Sequence, residues 1–391
     1  MSRYLLFPFG IGSGVAHLGT CLTLAAELRR RGHEATVAYG GTARALVTDV
    51  PILAVKELAL TPEAHVPPSR WFRSAGELEE LVEADIAAIE QVRPDVVVAD
   101  TRVSAALAAE MLGVPRLELM HFLPSHNVRP RFRHGWQNLS GPVGAIARRA
   151  HLKAPADAGL VEVINVVRRR RGLNRVAGLW EQTDTVACTT TPVLDPGPEL
   201  PDSWNYVGPI LWSAPGELPS SLADRQRPLV YVTQGSTGSS ALLHRAIDEL
   251  ADQPVDVLVT TAHLCDPEEL AARADNVVAR RYLPGQACMR AADVAVIHGG
   301  HLTGCEAHRA GVPVVVLPHA ADHWRWASRA DRLGTGLPIA PWGPRGSVAR
   351  GVRRVLRDDR FRSAASAIAQ HLVDWDGATR AADRAEALVS S

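Results

Sequence analysis

Short apolar runs alternate along the chain with longer segments in which apolar residues recur at helical spacing. Tyr4–Phe9 predicts a buried strand, Leu18–Arg31 an amphipathic helix and Glu34–Tyr39 the next strand. Asp95–Ala99 predicts a further strand, followed by a helix over Ser104–Leu112 and a strand over Arg116–Met120. The rhythm restarts after Arg227. Strands are expected at Leu229–Thr233, Val255–Thr260, Val277–Arg281, Val294–Ile297 and Val314–Leu317, with a helix over Ser240–Ala251. Strands apolar on both faces, separated by helices, imply parallel sheets covered on each side. The expected class is therefore α/β, with two doubly wound, Rossmann-like domains.

Between the two halves, Asp195–Pro228 is dense in proline, glycine and serine, which cannot continue a helix and suit an exposed connection. The expected division is a first domain over 1–205, a connection over 206–228, a second domain over 229–360 and a helical tail over 361–391. That tail is expected to leave the second domain and return to the first. A chain of 391 residues is long enough for two such domains.

Composition narrows the partners. Apolar residues make up 46% and charged residues 21%, which excludes global disorder. Lys+Arg and Asp+Glu both total 42, so no electrostatic reason points to nucleic acid or an anionic membrane. The five cysteines are odd in number and never spaced C-x-x-C, as expected of reduced thiols in a cytoplasm. Tyr4–Gly12 is a poor signal peptide, being short and interrupted by Pro8. No apolar stretch approaches the roughly 20 residues that span a bilayer. A cytoplasmic, soluble protein is the expectation.

The first predicted strand runs into Gly10-Ile-Gly-Ser-Gly-Val-Ala-His-Leu-Gly19. A dinucleotide fingerprint would need an acid at the end of the second strand, where the chain has Val37-Ala-Tyr-Gly-Gly41. The glycines also fall at Gly10, Gly12 and Gly14, followed by Ala16, which is the wrong spacing. His17 instead lies at the start of the first helix, where the helix dipole disfavours imidazolium and leaves a ring able to accept a proton. Asp100 ends the Val96–Ala99 run. A carboxylate there would orient the ring and stabilise the charge it acquires.

Two turns in the second half suit an anion. Thr233-Gln-Gly-Ser-Thr-Gly238 offers backbone N–H groups at Gly235 and hydroxyls at Ser236 and Thr237, and lacks the lysine of a P-loop. His298-Gly-Gly-His-Leu-Thr-Gly-Cys-Glu-Ala307 has Gly299, Gly300 and Gly304 around Thr303, with Glu306 one turn inside the following helix. Two such turns at strand tips favour a nucleoside diphosphate held without a metal. His298 with His301, and His319 with His323, lack the H-E-x-x-H frame and are read as structural or substrate-contacting rather than zinc ligands. Asp374-Trp-Asp376 belongs to the tail, and Arg168–Arg171 reads as a solvated helix face.

Together these positions resemble the GT-B glycosyltransferases, the superfamily of nucleotide-sugar-dependent enzymes that includes plant and bacterial natural-product transferases. The resemblance spans the chain and is strongest at Tyr282-Leu283-Pro284, at the H-G-G-x-x-T-x-x-E run from His298 to Glu306, at Gly311-Val-Pro-Val-Val-Val-Leu-Pro318 and at Asp322-His323. It implies that His298 and Thr303 bind the diphosphate, Glu306 the ribose, Tyr282 the base and Asp322 the sugar. It likewise implies His17 as base, standing 14 residues before Arg31 of Arg-Arg-Gly-His, with Asp100 as its partner. The family's G-H-x-x-P is altered, with Ala16 before the histidine and Thr20 in place of the proline, and its glutamine is replaced by Gly285 followed by Gln286.

The resemblance implies inverting, metal-independent transfer of a sugar from a dTDP- or UDP-sugar to a hydroxyl of a lipophilic metabolite. A fold of two domains facing across a cleft comes with it. Gly14, Trp71, His121, Phe122 and Trp136 are the expected acceptor surface. The richness in arginine and alanine suggests an actinomycete-like source and a polyketide or enediyne acceptor. The expected partners are donor and acceptor, with no cofactor, no nucleic acid and a homodimer left open. A nucleotide-sugar epimerase of the same shape and a non-catalytic helper are the rival readings; a helper needs no base.

Overall fold

The computed structural model describes residues 1–9, 15–41, 43–44, 49–57, 71–72, 74–121, 158–179, 183–196, 199–222 and 225–390. They form two units. One groups the described residues up to Ile210 with those from Asp376 on, and the other holds Leu211–Trp375.

In the first unit, the all-apolar run Val96–Ala99 is buried on both faces and forms the middle of a parallel sheet. The strands are β1 (Arg3–Phe7), β2 (Glu34–Ala38), β3 (Ile52–Leu53), β4 (Val96–Asp100), β5 (Arg116–Met120), β6 (Thr185–Cys188) and β7 (Trp204–Tyr206), in the order β3-β2-β1-β4-β5-β6-β7. Helices α1 (Val15–Arg30), α2 (Ala75–Val92), α3 (Val103–Leu112) and α4 (Ala158–Arg170) cover it. The chain winds outward from β1 to β3 and then returns to place β4 on the other side of β1, with Phe7 beside Ala99. Such a reversal opens a crevice at the carboxyl ends of the two strands.

The second unit repeats the plan. Its strands β8 (Leu229–Thr233), β9 (Asp256–Thr260), β10 (Val277–Arg280), β11 (Val294–Ile297), β12 (Val314–Val316) and β13 (Gly336–Pro338) order as β10-β9-β8-β11-β12-β13, every pair parallel. Its helices are α5 (Ser240–Leu250), α6 (Pro267–Ala271), α7 (Gly285–Ala291), α8 (His301–Ala310), α9 (Ala321–Leu333), α10 (Ser347–Arg357) and α11 (Asp359–Leu372). Here the reversal lies between β8 and β11.

Several boundaries differ from the sequence reading. The proline-rich stretch contains β7, which pairs with β6 through Trp204 and Val186. The expected connection is also divided at Ile210. Beyond it, Ser213 Oγ accepts from the Gln286 N–H at 3.3 Å within the second unit. The expected tail is two helices. Helix α11 packs against α8 and stays with the second unit, and only the segment after Trp375 belongs to the first. There Asp376 caps α12 (Gly377–Ala387) by accepting from Thr379 N–H. Arg31 holds Asp383 at 2.7 Å and Glu386 at 2.8 Å, and His33 Nε2 lies 2.9 Å from Glu386. The R-G-H end of α1 is thus the clasp for the last helix. Arg168 is buried against Glu110 rather than solvated, while Arg170 and Arg171 pair with Glu79 and Glu83.

One packing contact in the second unit is tight enough to test. A Cβ on Gly304 would overlap the indole of Trp326, which is fully buried. Gly304→Ala is expected to cost about 1–3 kcal/mol through overpacking, read as a lower midpoint in thermal melts. No described helix is long and apolar enough to cross a membrane.

Candidate active site

In the first unit the site grows from the tips of three adjacent strands. β1 ends at Phe7, and His17 follows in the first turn of α1. Asp100 is the last residue of β4 and fully buried, and His121 is the first residue beyond β5. His17 Nδ1 lies 3.0 Å from Asp100 Oδ1. His121 Nε2 lies 2.8 Å from the same oxygen and 3.2 Å from His17 Nδ1. The His17 side chain remains 25% accessible, whereas Asp100 is fully enclosed.

Burial alone would lift the Asp100 carboxyl, but the imidazoles of His121 and His17 outweigh it and hold the group below the ordinary carboxylate range. Beneath it Glu118 behaves oppositely. Burial foremost, with Asp100 adding repulsion, pushes the Glu118 carboxyl up to about 8 against the pull of Arg116, 3.8 Å away, and the N–H of Thr101. Thr101 takes a positive φ of 58° to make that bond. The two carboxyls on neighbouring strands are thus shifted in opposite directions, Asp100 toward its ionised form and Glu118 toward its protonated form.

His121, expected on the acceptor surface, therefore belongs to the base cluster. Trp71 packs edge-on against Phe9 at 4.8 Å, and Phe9 lies 5.2 Å from the His17 ring, so an aromatic wall stands beside the base. Gly14, Phe122 and Trp136 lie outside the described residues. The atoms of His17, Asp100 and His121 lie within 4.8 Å of one another, near enough to share one metal ion. Among the described residues no other such group occurs, and the paired histidines of the second unit do not form one.

In the second unit the two glycine-rich turns meet. Gly235 and Gly300 press their backbones on the ring of His298. A Cβ on Gly235 would come within 2.6 Å of His298 Cε1, and one on Gly300 would overlap Nε2. Gly299, at φ 96°, turns the chain between strand and helix. Ser236 and Thr237 sit in the loop after β8, and Thr237 O is 3.2 Å from His319 Nε2. Thr303 lies in the first turn of α8, whose leading N–H groups face outward at the helix start.

Glu306, one turn further, is buried, and that burial pushes its carboxyl up to about 8. Gly285 opens α7 directly against it, since a Cβ there would lie 3.1 Å from Glu306 Oε2. Tyr282 is 45% exposed, whereas Leu283 is buried in the core. Asp322 is exposed, but His323 is buried between His298 and His319, with ring centroids at 4.7 and 4.5 Å. The His323 ring thus packs between two other imidazoles, whereas the neighbouring Asp322 side chain faces outward. Gly304 packs its backbone against the Trp326 indole.

Sequence reasoning missed His121, Thr189 and Glu118 as parts of the base cluster. The signal that marked Asp100, a polar residue at a strand tip, is present at His121 as well. Phe9, two residues past β1, was equally available.

Comparison with known proteins bears on the family. Residues 244–388 match the family described as Erythromycin biosynthesis protein CIII-like, C-terminal domain. The PGL/p-HBAD biosynthesis rhamnosyltransferase of Mycobacterium bovis (strain BCG / Pasteur 1173P2) is 31% identical over 303 residues, covering 75% of this chain and 67% of that protein. The 4'-demethylrebeccamycin synthase of Lentzea aerocolonigenes is 30% identical over 330 residues, covering 78% and 76%. Among solved structures, spinosyn forosaminyltransferase SpnP aligns over 100% of both chains with a TM-score of 0.75 at 20% identity. The calicheamicin glycosyltransferase CalG4 gives 0.75 at 23% over 100% and 99%. Two parallel-sheet units of this order and relatives of this identity leave one assignment: the chain belongs to the UDP-glycosyltransferase superfamily of GT-B fold and is a glycosyltransferase.

Proposed function

We propose that the protein is an inverting glycosyltransferase that moves a sugar from a dTDP- or UDP-sugar to a hydroxyl of a lipophilic small molecule. The observation that carries this is the 3.0 Å contact of His17 Nδ1 with buried Asp100. That contact fixes the proton on Nδ1 and leaves Nε2 as the accepting nitrogen. His17 Nε2 takes the acceptor's hydroxyl proton as the oxygen forms its bond to the anomeric carbon. The bond from that carbon to the diphosphate oxygen breaks on the opposite face, so the configuration inverts. The diphosphate leaves with an added negative charge. Backbone N–H groups at Gly235–Thr237 and at the start of α8, with Thr303 and His298, stabilise that charge in this reading, without a metal ion.

Glu306 accepts from the ribose hydroxyls, Tyr282 stacks on the base and Asp322 contacts the sugar. The aromatic wall of Phe9 and Trp71 supplies apolar surface for the acceptor. The mycobacterial relative is a PGL/p-HBAD biosynthesis rhamnosyltransferase and the Lentzea relative a 4'-demethylrebeccamycin synthase, which supports a deoxysugar donor and a natural-product acceptor.

The test is to incubate the protein with dTDP- and UDP-sugars, with and without hydroxylated aromatic acceptors, and to follow diphosphate release. Release that needs an acceptor, survives a chelator and gives a product of opposite anomeric configuration supports the reading. Release or sugar isomerisation without acceptor points to an epimerase, and binding without release to a helper. A retained configuration ends the single-displacement mechanism.

Glu306→Gln separates the ribose contact from its cost. Above the raised value of about 8 the carboxyl is ionised, and a bond from a hydroxyl to a carboxylate is worth about 1.5–3 kcal/mol, so in calorimetry on the alkaline side UDP affinity should fall about tenfold or more. The empty protein should respond in the other direction. The folded-state carboxyl, raised from 4.5 to about 8, binds its proton more tightly than the unfolded one. Wild-type stability therefore falls as pH rises between those values, and the neutral glutamine does not share the loss. The variant's thermal midpoint should exceed wild type's by more at pH 8 than at pH 5.

A further inference from the structure

We infer that His17, Asp100 and His121 form a zinc site, and that a zinc ion held there switches the enzyme off by occupying its base. Inhibition by that ion rests on the reading of His17 as the base; binding of the ion does not. Three donor atoms converge from three elements. His17 Nδ1 comes from the first turn of α1, Asp100 Oδ1 from the end of β4 and His121 Nε2 from just beyond β5. The two nitrogens lie 3.0 and 2.8 Å from that oxygen and 3.2 Å from each other. A tetrahedral zinc ion about 2.0–2.1 Å from each ligand sets the ligand atoms about 3.3 Å apart. The triangle therefore opens by about half an ångström at most to take the ion.

Charge and ligand type favour this cation. Asp100 is fully buried, and its other oxygen, Oδ2, has no hydrogen-bond partner. A buried charge with an unmet oxygen is costly, and a cation on the carboxylate offsets that cost. The nearby guanidinium of Arg102 does not, being committed to Asp85. Zinc accepts two imidazoles and one carboxylate, with water in the position that the protein leaves open. Magnesium and calcium require a larger set of oxygen ligands, which this triangle does not supply. Behind the His121 ring, Thr189 Oγ lies 3.0 Å from Nδ1, the kind of outer contact that orients a ligating imidazole.

The effect on transfer follows from the tautomer. A neutral imidazole that binds an ion through Nδ1 carries its ring proton on Nε2. In that form His17 has no lone pair for the acceptor's proton, and its contact with Asp100 is replaced by the ion. Transfer stops until the ion leaves.

The test uses the full chain freed of metal by a chelator. Zinc is titrated by calorimetry into wild type, His17→Gln, His121→Gln and Thr189→Val, and cobalt(II) serves as a stand-in whose visible absorption reports tetrahedral coordination. Wild type should bind a zinc ion that excess magnesium does not displace. Thr189→Val keeps all three ligands and should bind it about 10–100-fold more weakly, the usual effect of losing an outer contact. Each glutamine variant should lose more than that, together with the cobalt band. Thermal melts without metal identify a misfolded variant, in which case the remaining variants decide. No uptake by wild type, or equal uptake by all four proteins, overturns the site and leaves the base reading as it was. Turnover is then measured with the site saturated. Inhibition that a chelator reverses supports the switch. Full turnover by the zinc-loaded wild type overturns the switch and removes His17 as the base, with the metal site still standing.

Discussion

His17→Ala should lower kcat by about 10²–10⁴-fold, the contribution of a positioned general base, while leaving UDP binding within the error of calorimetry. The reason for the split is where the groups reside. His17 and its partners are built from β1, β4 and β5, whereas the turns that suit a diphosphate belong to β8 and β11 of the other unit. Asp100→Asn should reproduce much of the loss for a different reason. An asparagine can present its amide N–H to His17 Nδ1, which selects the tautomer with the proton on Nε2 and removes the accepting lone pair. Buried Asp100 also supplies the negative charge that stabilises imidazolium in the transition state, and asparagine does not. Single-turnover measurement with saturating donor and acceptor isolates the chemical step. Retention of more than about a tenth of wild-type kcat in His17→Ala would remove the histidine from the base role, given the range for such catalysis.

Legibility followed the physics of each element. The strands Val96–Ala99, Leu229–Thr233 and Val294–Ile297 were readable because burial on both faces demands uninterrupted apolar residues. The two glycine-rich turns were readable because close approach to the His298 ring admits no side chain at Gly235 or Gly300. Strand β7 was not, since Trp204–Tyr206 is a three-residue edge strand inside a proline-rich stretch whose pairing comes from β6. The break between α11 and α12 was hidden because Asp376 marks a helix start only once its side chain is seen to accept from Thr379 N–H. His121 was read as an aromatic among aromatics. Its place on Asp100 depends on β5 lying next to β4, a fact of strand order that no local pattern carries. His323, read as structural or substrate-contacting, is buried, because successive helical residues point to different faces and its ring is turned inward while Asp322 is exposed.

The largest effect on stability is expected at Arg102, whose guanidinium is buried with Asp85 of α2. Nε donates to Asp85 Oδ2 at 3.0 Å and Nη2 to Oδ1 at 2.8 Å, and Nη2 also donates to Lys56 O at 2.9 Å. The pair links the turn after β4, next to Asp100, with the helix that packs on α3. Its net worth against an apolar pair is small, because both charges lose their hydration. Losing one partner is different. Arg102→Met would strand the Asp85 carboxylate in the core, at a cost of about 3–5 kcal/mol in urea or thermal unfolding of the first unit. The deficit should depend on pH with a definite sign. Burial already raises the Asp85 carboxyl above its ordinary value, opposed by Arg102 and Ser104. Without the guanidinium it rises further, so the folded state binds the proton more tightly than the unfolded chain. The variant should then approach wild type as pH falls toward the ordinary carboxylate range and lose most at neutral and alkaline pH. Adding Asp85→Asn to Arg102→Met should recover part of the loss at pH 8, since the stranded charge is gone. A deficit that ignores pH and is unrelieved by Asp85→Asn would assign the cost to lost packing of the arginine over Phe7, 5.5 Å from its ring, and not to the ion pair.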